Sequence, residues 1–285
     1  MDGPTEHLQG LAVRIVDEAL ERVPLRAAML VGSAARGDAD FYSDLDLLLY
    51  VDELPATEAL SEIRAAVGGS NPKAKDAPTE HFFGEEFDLD GVRTEVSFMT
   101  VARVEWRIDQ LLERIEEIDS PVQKVLAGML EGLPLYGAEL VRGWQARLRD
   151  YPEPLRRAMV ERHWTFFPVW YYGEALAARD AELWRLDLLL EAAFNLLAVL
   201  AGLNRLYFAR SELKRMRALI ARMELAPPRL GDRLESLFRL PPAQAAAELG
   251  RLVEETRALV TREFPDLELS LRFPPGRRQT PWRLP

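Results

Sequence analysis

The sequence predicts an α+β protein on two observations. Short apolar runs alternate with helical stretches through the first half, and helical periodicity fills the second. The expected division is a small α/β domain over residues 1–142 and a helical bundle with an irregular tail over 143–285. A chain of 285 residues is long enough for two domains of ordinary size.

The elements follow in order. Residues 6–23 read as a helix, with Leu8, Leu11, Ile15 and Leu20 as its apolar stripe and Pro24 as its stop. Residues 26–31 (RAAMLV) form a short buried strand closed by Gly32, and a short helix begins near Ala34. Residues 44–51 (DLDLLLYV) form a second strand, and 57–67 a helix ended by Gly68-Gly69. Residues 70–90, with their prolines, glycine and acids, are expected to be a loop. Residues 92–99 (VRTEVSFM) alternate and read as a third strand. From Val104 onward the pattern is helical, with Ser120-Pro121 as a helix start and prolines at 152, 168, 227–228 and 241–242 as breaks. Five or six helices are expected between 138 and 264, then a proline- and arginine-rich tail.

Composition removes several chemistries. With no cysteine, disulfides, thiolate zinc sites and cysteine nucleophiles are excluded. The N-terminus is polar, and Glu191 and Asn195 interrupt the longest apolar stretch, so a cytoplasmic protein with no membrane partner is expected. Residues 1–141 hold 12 Lys and Arg against 28 Asp and Glu, a net of -16, whereas the remainder is at +6. An acidic front half repels nucleic acid and suits metal ions or a cationic substrate.

The chemistry concentrates in residues 30–49 (LVGSAARGDADFYSDLDLLL). Side chains two apart on a strand share a face, so Asp44 and Asp46 aim together while Leu45 and Leu47 face the core. Two such carboxylates suit Mg²⁺, which takes one or two of them and fills its octahedron with water and substrate phosphate. Gly32 lets the backbone come close to a ligand, and the following helix start offers unpaired N–H groups for phosphate. Ser33 adds a hydroxyl, and Arg36 lies one turn on. No strand is followed by GxxxxGK[ST] or GxGxxG, which argues against P-loop and Rossmann sites.

Gly32-Ser33, followed ten positions on by Ser43-Asp44-Leu45-Asp46-Leu47, resembles the signature of the nucleotidyltransferase superfamily, the DNA polymerase β-like fold. Ala35-Arg36-Gly37 is similar to its small-molecule and minimal branch, which includes aminoglycoside and lincosamide nucleotidyltransferases. The resemblance implies a mixed-sheet catalytic domain followed by a helical one. It implies a third carboxylate on a later strand, matched here by Glu95 in Thr94-Glu95-Val96, as metal ligand or general base. It also implies nucleotide contacts from Gly32, Ser33, Arg36 and Ser43. Two Mg²⁺ ions about 3.5–4 Å apart are expected, with an NTP, taken as ATP, as co-substrate.

In the helical half, Asp187, Glu191 and Asn195 recur every four residues as one polar column. They are either an acceptor-binding stripe or the wet face of a central helix. Asn204-Arg205-Leu206-Tyr207 followed by Lys214 resembles the helical domain of superfamily members, which makes Lys214 a candidate triphosphate contact. The aromatic run Trp164, Phe166, Phe167, Trp170, Tyr171 and Tyr172 reads as core. Together these features predict transfer of a nucleoside monophosphate from an NTP to a hydroxyl of a small cationic acceptor, with pyrophosphate released. The alternatives are nucleotidylation of a tRNA end or a protein side chain, or nucleotide binding with little turnover.

Overall fold

The structure, a computed structural model, describes residues 3–115, 118, 122–210 and 213–272. The Ser120-Pro121 helix start and the end of the tail lie outside them. The chain divides into two compact units, residues 1–117 with 124–150 and residues 118–123 with 151–285. The helix at 138–149 thus belongs to the first unit, and a short upstream segment to the second.

The first unit opens with α1 (Pro4–Leu20), which buries Leu8, Leu11, Ala12, Ile15, Val16 and Ala19. Leu20 was expected in that stripe but is 38% exposed; five residues beyond Ile15 it has rotated off the buried face, and Ala19 takes the place. Then come β1 (Ala27–Val31), α2 (Gly32–Arg36), β2 (Leu45–Val51), α3 (Glu58–Val67), β3 (Ser70–Thr79), β4 (Phe82–Leu89) and β5 (Val92–Thr100). After α4 (Val101–Leu112) and α5 (Val122–Leu130), β6 (Leu133–Tyr136) and α6 (Ala138–Arg149) complete it.

Among the described residues the sheet has six strands in the order β3-β4-β5-β2-β1-β6. It is mixed, because β2 and β5 run parallel while the other neighbours are antiparallel. Alternation decides what each face carries. Leu45, Leu47, Leu49, Val96 and Phe98 enter the core with α1 and α3 residues. The opposite face receives Asp46 and Tyr50 from β2, and Tyr50 meets Trp144 of α6 edge-on at 4.9 Å between ring centroids.

Two strands depart from expectation. Residues 70–90 are a β-hairpin, β3 and β4, and not a loop. β3 is one of the two edge strands, where Pro72, Pro78 and charged side chains are tolerated because one edge needs no ladder partner. That edge polarity hid the strand from a hydrophobic pattern. β6 has four residues with Pro134 among them, too few for a periodic signal.

The second unit is helical. It contains α7 (Glu153–His163), a π-helical turn (Tyr171–Ala175), α8 (Glu182–Leu203), α9 (Met216–Ala221), α10 (Leu230–Ser236) and α11 (Pro242–Glu263). Arg156 of α7, 4% exposed, donates to the Leu203 carbonyl at the end of α8 and pairs with Glu263 at the end of α11. Among the described residues only α8 is long and apolar enough to cross a membrane, and 67% of its apolar window is buried within the protein. Trp164, Phe166 and Tyr172 are buried, and the Phe167 amide donates to the Tyr172 hydroxyl, so these rings are spent on packing.

Candidate active site

The site is built where β1 turns into α2 beside β2. Gly32 takes the left-handed conformation, φ +75°, which a residue with a Cβ adopts only with strain. It also lies so close to β2 that a Cβ there would stand 2.9 Å from Asp46 Oδ2. The glycine thus serves the turn and the approach of a carboxylate together. Ser33 is half-buried in the first turn of α2, a helix of five residues ended by Gly37.

The strand register sets the acids side by side. Asp46 pairs with Val31 on one flank and with Glu95 on the other, and Glu86 lies opposite Glu95 one strand further on. Partners across a ladder share a face about 4.8 Å apart. Asp44 precedes β2 by one residue, so it sits at the mouth of the strand. Its approach is fixed by a turn in which Ser43 donates through Oγ to Asp40 Oδ1 at 3.1 Å, and the Asp40 amide donates back to Ser43 Oγ. Ser43, expected to contact nucleotide, is engaged in this turn. The turn presents Phe41 and Tyr42, 94% and 96% exposed, beside it.

The acids are unequally compensated. Arg93 donates to Asp44 Oδ2 at 3.5 Å, to Glu86 at 2.5 Å and to Glu95 Oε1 at 3.0 Å. Lys75 of β3 holds the other oxygen of Glu95, Oε2. Among the described residues no cationic side chain forms an ion pair with Asp46. Burial first, then the neighbouring charge of Glu95, push the Asp46 carboxyl up to about 6. The charges of Lys75 and, less strongly, Lys124 oppose that shift without pairing to the carboxyl. Of the four carboxylates Asp44, Asp46, Glu86 and Glu95, three are thus held by Arg93 or Lys75, and Asp46 is held by neither.

This donor set fits a divalent cation: among the described residues no cationic side chain pairs directly with the half-buried Asp46 carboxylate, and Asp44 and Glu95 flank it. Among the described residues no three His, Asp or Glu side chains are already gathered as a metal cage, because Glu95 is turned onto Lys75 and Arg93.

The structure thus brings Gly32, Ser33, Asp44, Asp46 and Glu95 into one neighbourhood. Arg36 is directed to Asp38 at 3.4 Å and Glu131 at 3.8 Å. Lys214, Asp187, Glu191 and Asn195 belong to the second unit. There Lys214 and Asp187 are exposed, Glu191 lies 4.0 Å from Arg272, and Asn195 donates to the Thr165 carbonyl at 3.0 Å. Asn195 therefore tethers a neighbouring segment to α8. Arg205 pairs with Glu153 at 3.0 Å. Sequence reasoning missed Lys75, whose part depends on β3 being a strand.

A glycine–serine turn set against an acidic strand of a mixed sheet has the chemistry to accept a phosphate beside a divalent cation. Residues 13–76 match the family model of the nucleotidyltransferase domain. Residues 13–76 thus carry the pattern of a nucleotidyltransferase domain, which supports nucleotidyl transfer in general. The match contains Gly32, Ser33, Asp44, Asp46 and Lys75, and ends before Glu95. The solved structure of a nucleotidyltransferase-like protein from Exiguobacterium sibiricum 255-15 is similar to this chain, at 14% sequence identity and a TM-score of 0.39, over 90% of this chain and 80% of that one. No curated protein matches the chain.

Proposed function

We propose that the protein is a Mg²⁺-dependent nucleotidyltransferase of the small-molecule branch, acting in the cytoplasm. It moves a nucleoside monophosphate from ATP or another NTP to a hydroxyl of a small cationic acceptor of aminoglycoside type. The observation that carries this reading is Asp46: a carboxylate set in a half-buried place beside a second acid, with no cationic side chain paired to it. Burying an anion in this way is unfavourable, and a bound cation removes the penalty.

In this reading Asp44 and Asp46 hold the metal. When bound, it supplies charge neutralisation at the triphosphate and lowers the pKa of the acceptor hydroxyl. The amides of the Gly32-Ser33 turn and the Ser33 hydroxyl bind the terminal phosphates. The acceptor oxygen bonds to the α-phosphorus as the bond to the bridging oxygen breaks; pyrophosphate leaves with that electron pair, and the hydroxyl proton passes through water to the departing pyrophosphate. Glu95, with both oxygens held by Lys75 and Arg93, acts as a fixed negative charge and not as a mobile base. Orientation and fixed charge supply the acceleration. The acidic first half, net -16 over residues 1–141, supports a cationic acceptor.

The test is pyrophosphate release with Mg²⁺, each NTP and a panel of aminoglycosides, with Asp46→Asn as control. Release that needs both acceptor and Asp46 supports the reading. Label transferred into bulk tRNA or protein instead replaces the acceptor class, and nucleotide binding without transfer to anything overturns the enzyme assignment.

A further inference from the structure

Lys75 reaches Glu95 across an intervening strand. In the β3–β4 ladder Lys75 is opposite Gly84, and in the β4–β5 ladder Gly84 is opposite Ser97, two residues from Glu95. Partners share a face, so the lysine stem crosses β4 at the one place in that row that carries no side chain. A Cβ at Gly84 would meet Ser97 Oγ at 2.4 Å, which keeps the crossing bare. The ammonium then ends on Glu95 Oε2, with the register partner Asp46 on the far side. A lysine head is compact and its stem flexible, so it can hold a carboxylate and release it without moving the backbone.

We infer that Lys75 is an internal counter-ion of the site, which neutralises Glu95 in the cation-free protein and competes with a divalent cation for the acidic pair. This rests on the proposed nucleotidyltransferase site and adds a residue that sets how tightly the site takes its cation. Arg93, a rigid fork spread over Asp44, Glu86 and Glu95, fixes the acids in place, whereas Lys75 is the exchangeable charge. Lys75 is a positioning residue, acting through Glu95.

The experiment is Mn²⁺ binding to the whole protein without nucleotide, followed by the electron paramagnetic resonance signal of free Mn²⁺. Lys75→Met keeps the stem and removes the charge. It is expected to bind Mn²⁺ about tenfold more tightly than the parent, because a like charge has left the site. Lys75→Arg should stay within about twofold of the parent by the same reasoning. Lys73→Met removes an equal charge from the same strand at a residue opposite Glu86, and should change affinity much less. Thermal unfolding in EDTA should place Lys75→Met below the parent, with Mn²⁺ closing the gap. A structural defect would weaken binding, so tightening reports the competition itself. Unchanged or weaker binding in Lys75→Met, or equal tightening in Lys73→Met, overturns the role of Lys75. If the parent still binds Mn²⁺ and transfers nucleotide in that case, the proposed function stands. If the parent does neither, both fall.

Discussion

Gly32 and Asp46 occupy one another's space: the glycine has no side chain where the carboxylate of the neighbouring strand comes to rest. Gly32→Ala introduces a Cβ at 2.9 Å from Oδ2 and puts a side chain on a backbone at φ +75°. The left-handed conformation alone costs about 1–2 kcal/mol. The expected outcome is a melting temperature lowered by several degrees and loss of nucleotide binding in calorimetry. Parent-like behaviour in both would show that the turn and the acid are not coupled.

Asp46→Asn should stabilise the protein while abolishing transfer. The folded carboxyl titrates at about 6 against its ordinary 3.8, so above pH 6 the folded state carries an unfavourable buried charge in full. As pH falls from 6 towards 3.8 the folded protein takes up a proton that the unfolded chain does not, and the parent gains stability. At one pKa unit per ~1.4 kcal/mol, the variant should be about 1–3 kcal/mol more stable at pH 7 without divalent ions, with the difference shrinking on acidification. Denaturant midpoints across pH 4–8 measure it, and a difference that widens in acid would contradict the assignment.

Ser43→Ala removes both hydroxyl bonds of the exposed turn leading into Asp44, for a stability loss of about 0.5–1.5 kcal/mol. Transfer should fall through misplacement of Asp44. The Phe41→Ala, Tyr42→Ala double variant alters two almost fully exposed rings and should stay within about 0.5 kcal/mol of the parent. Chemical denaturation of the two proteins side by side separates these effects.

Arg156→Met tests the second unit by itself. The guanidinium is buried and satisfies the Leu203 carbonyl and Glu263, and its loss leaves both without that partner. Removing one member of a buried pair costs about 3–5 kcal/mol, and the part-exposed Glu263 places this variant at the lower end. Unfolding at markedly lower denaturant is expected, and a midpoint equal to the parent's would refute the role given to Arg156.

The legible parts of the sequence were those whose signal is local. Gly32-Ser33 and Asp44-Leu45-Asp46 reveal a turn and a facing pair within a few residues, and period-two alternation separates Glu95 from Val96 and Phe98. The β3–β4 hairpin stayed hidden because an edge strand need not be apolar, and with it went Lys75, which is visible only once the Gly84 register is known. Leu20 misled because α1 takes small Ala19 into its buried face. Asn195, attractive as part of a polar column, is spent on a backbone carbonyl that sequence spacing cannot reveal.

β3 lies at the rim of the sheet, hydrogen-bonded to a single neighbour, yet it carries the lysine that pairs with Glu95. Local opening of that rim therefore changes the electrical potential at the acidic cluster before any core residue moves. Amide exchange over residues 70–79 should for this reason respond to divalent salts, since an edge strand here also carries the lysine that meets Glu95.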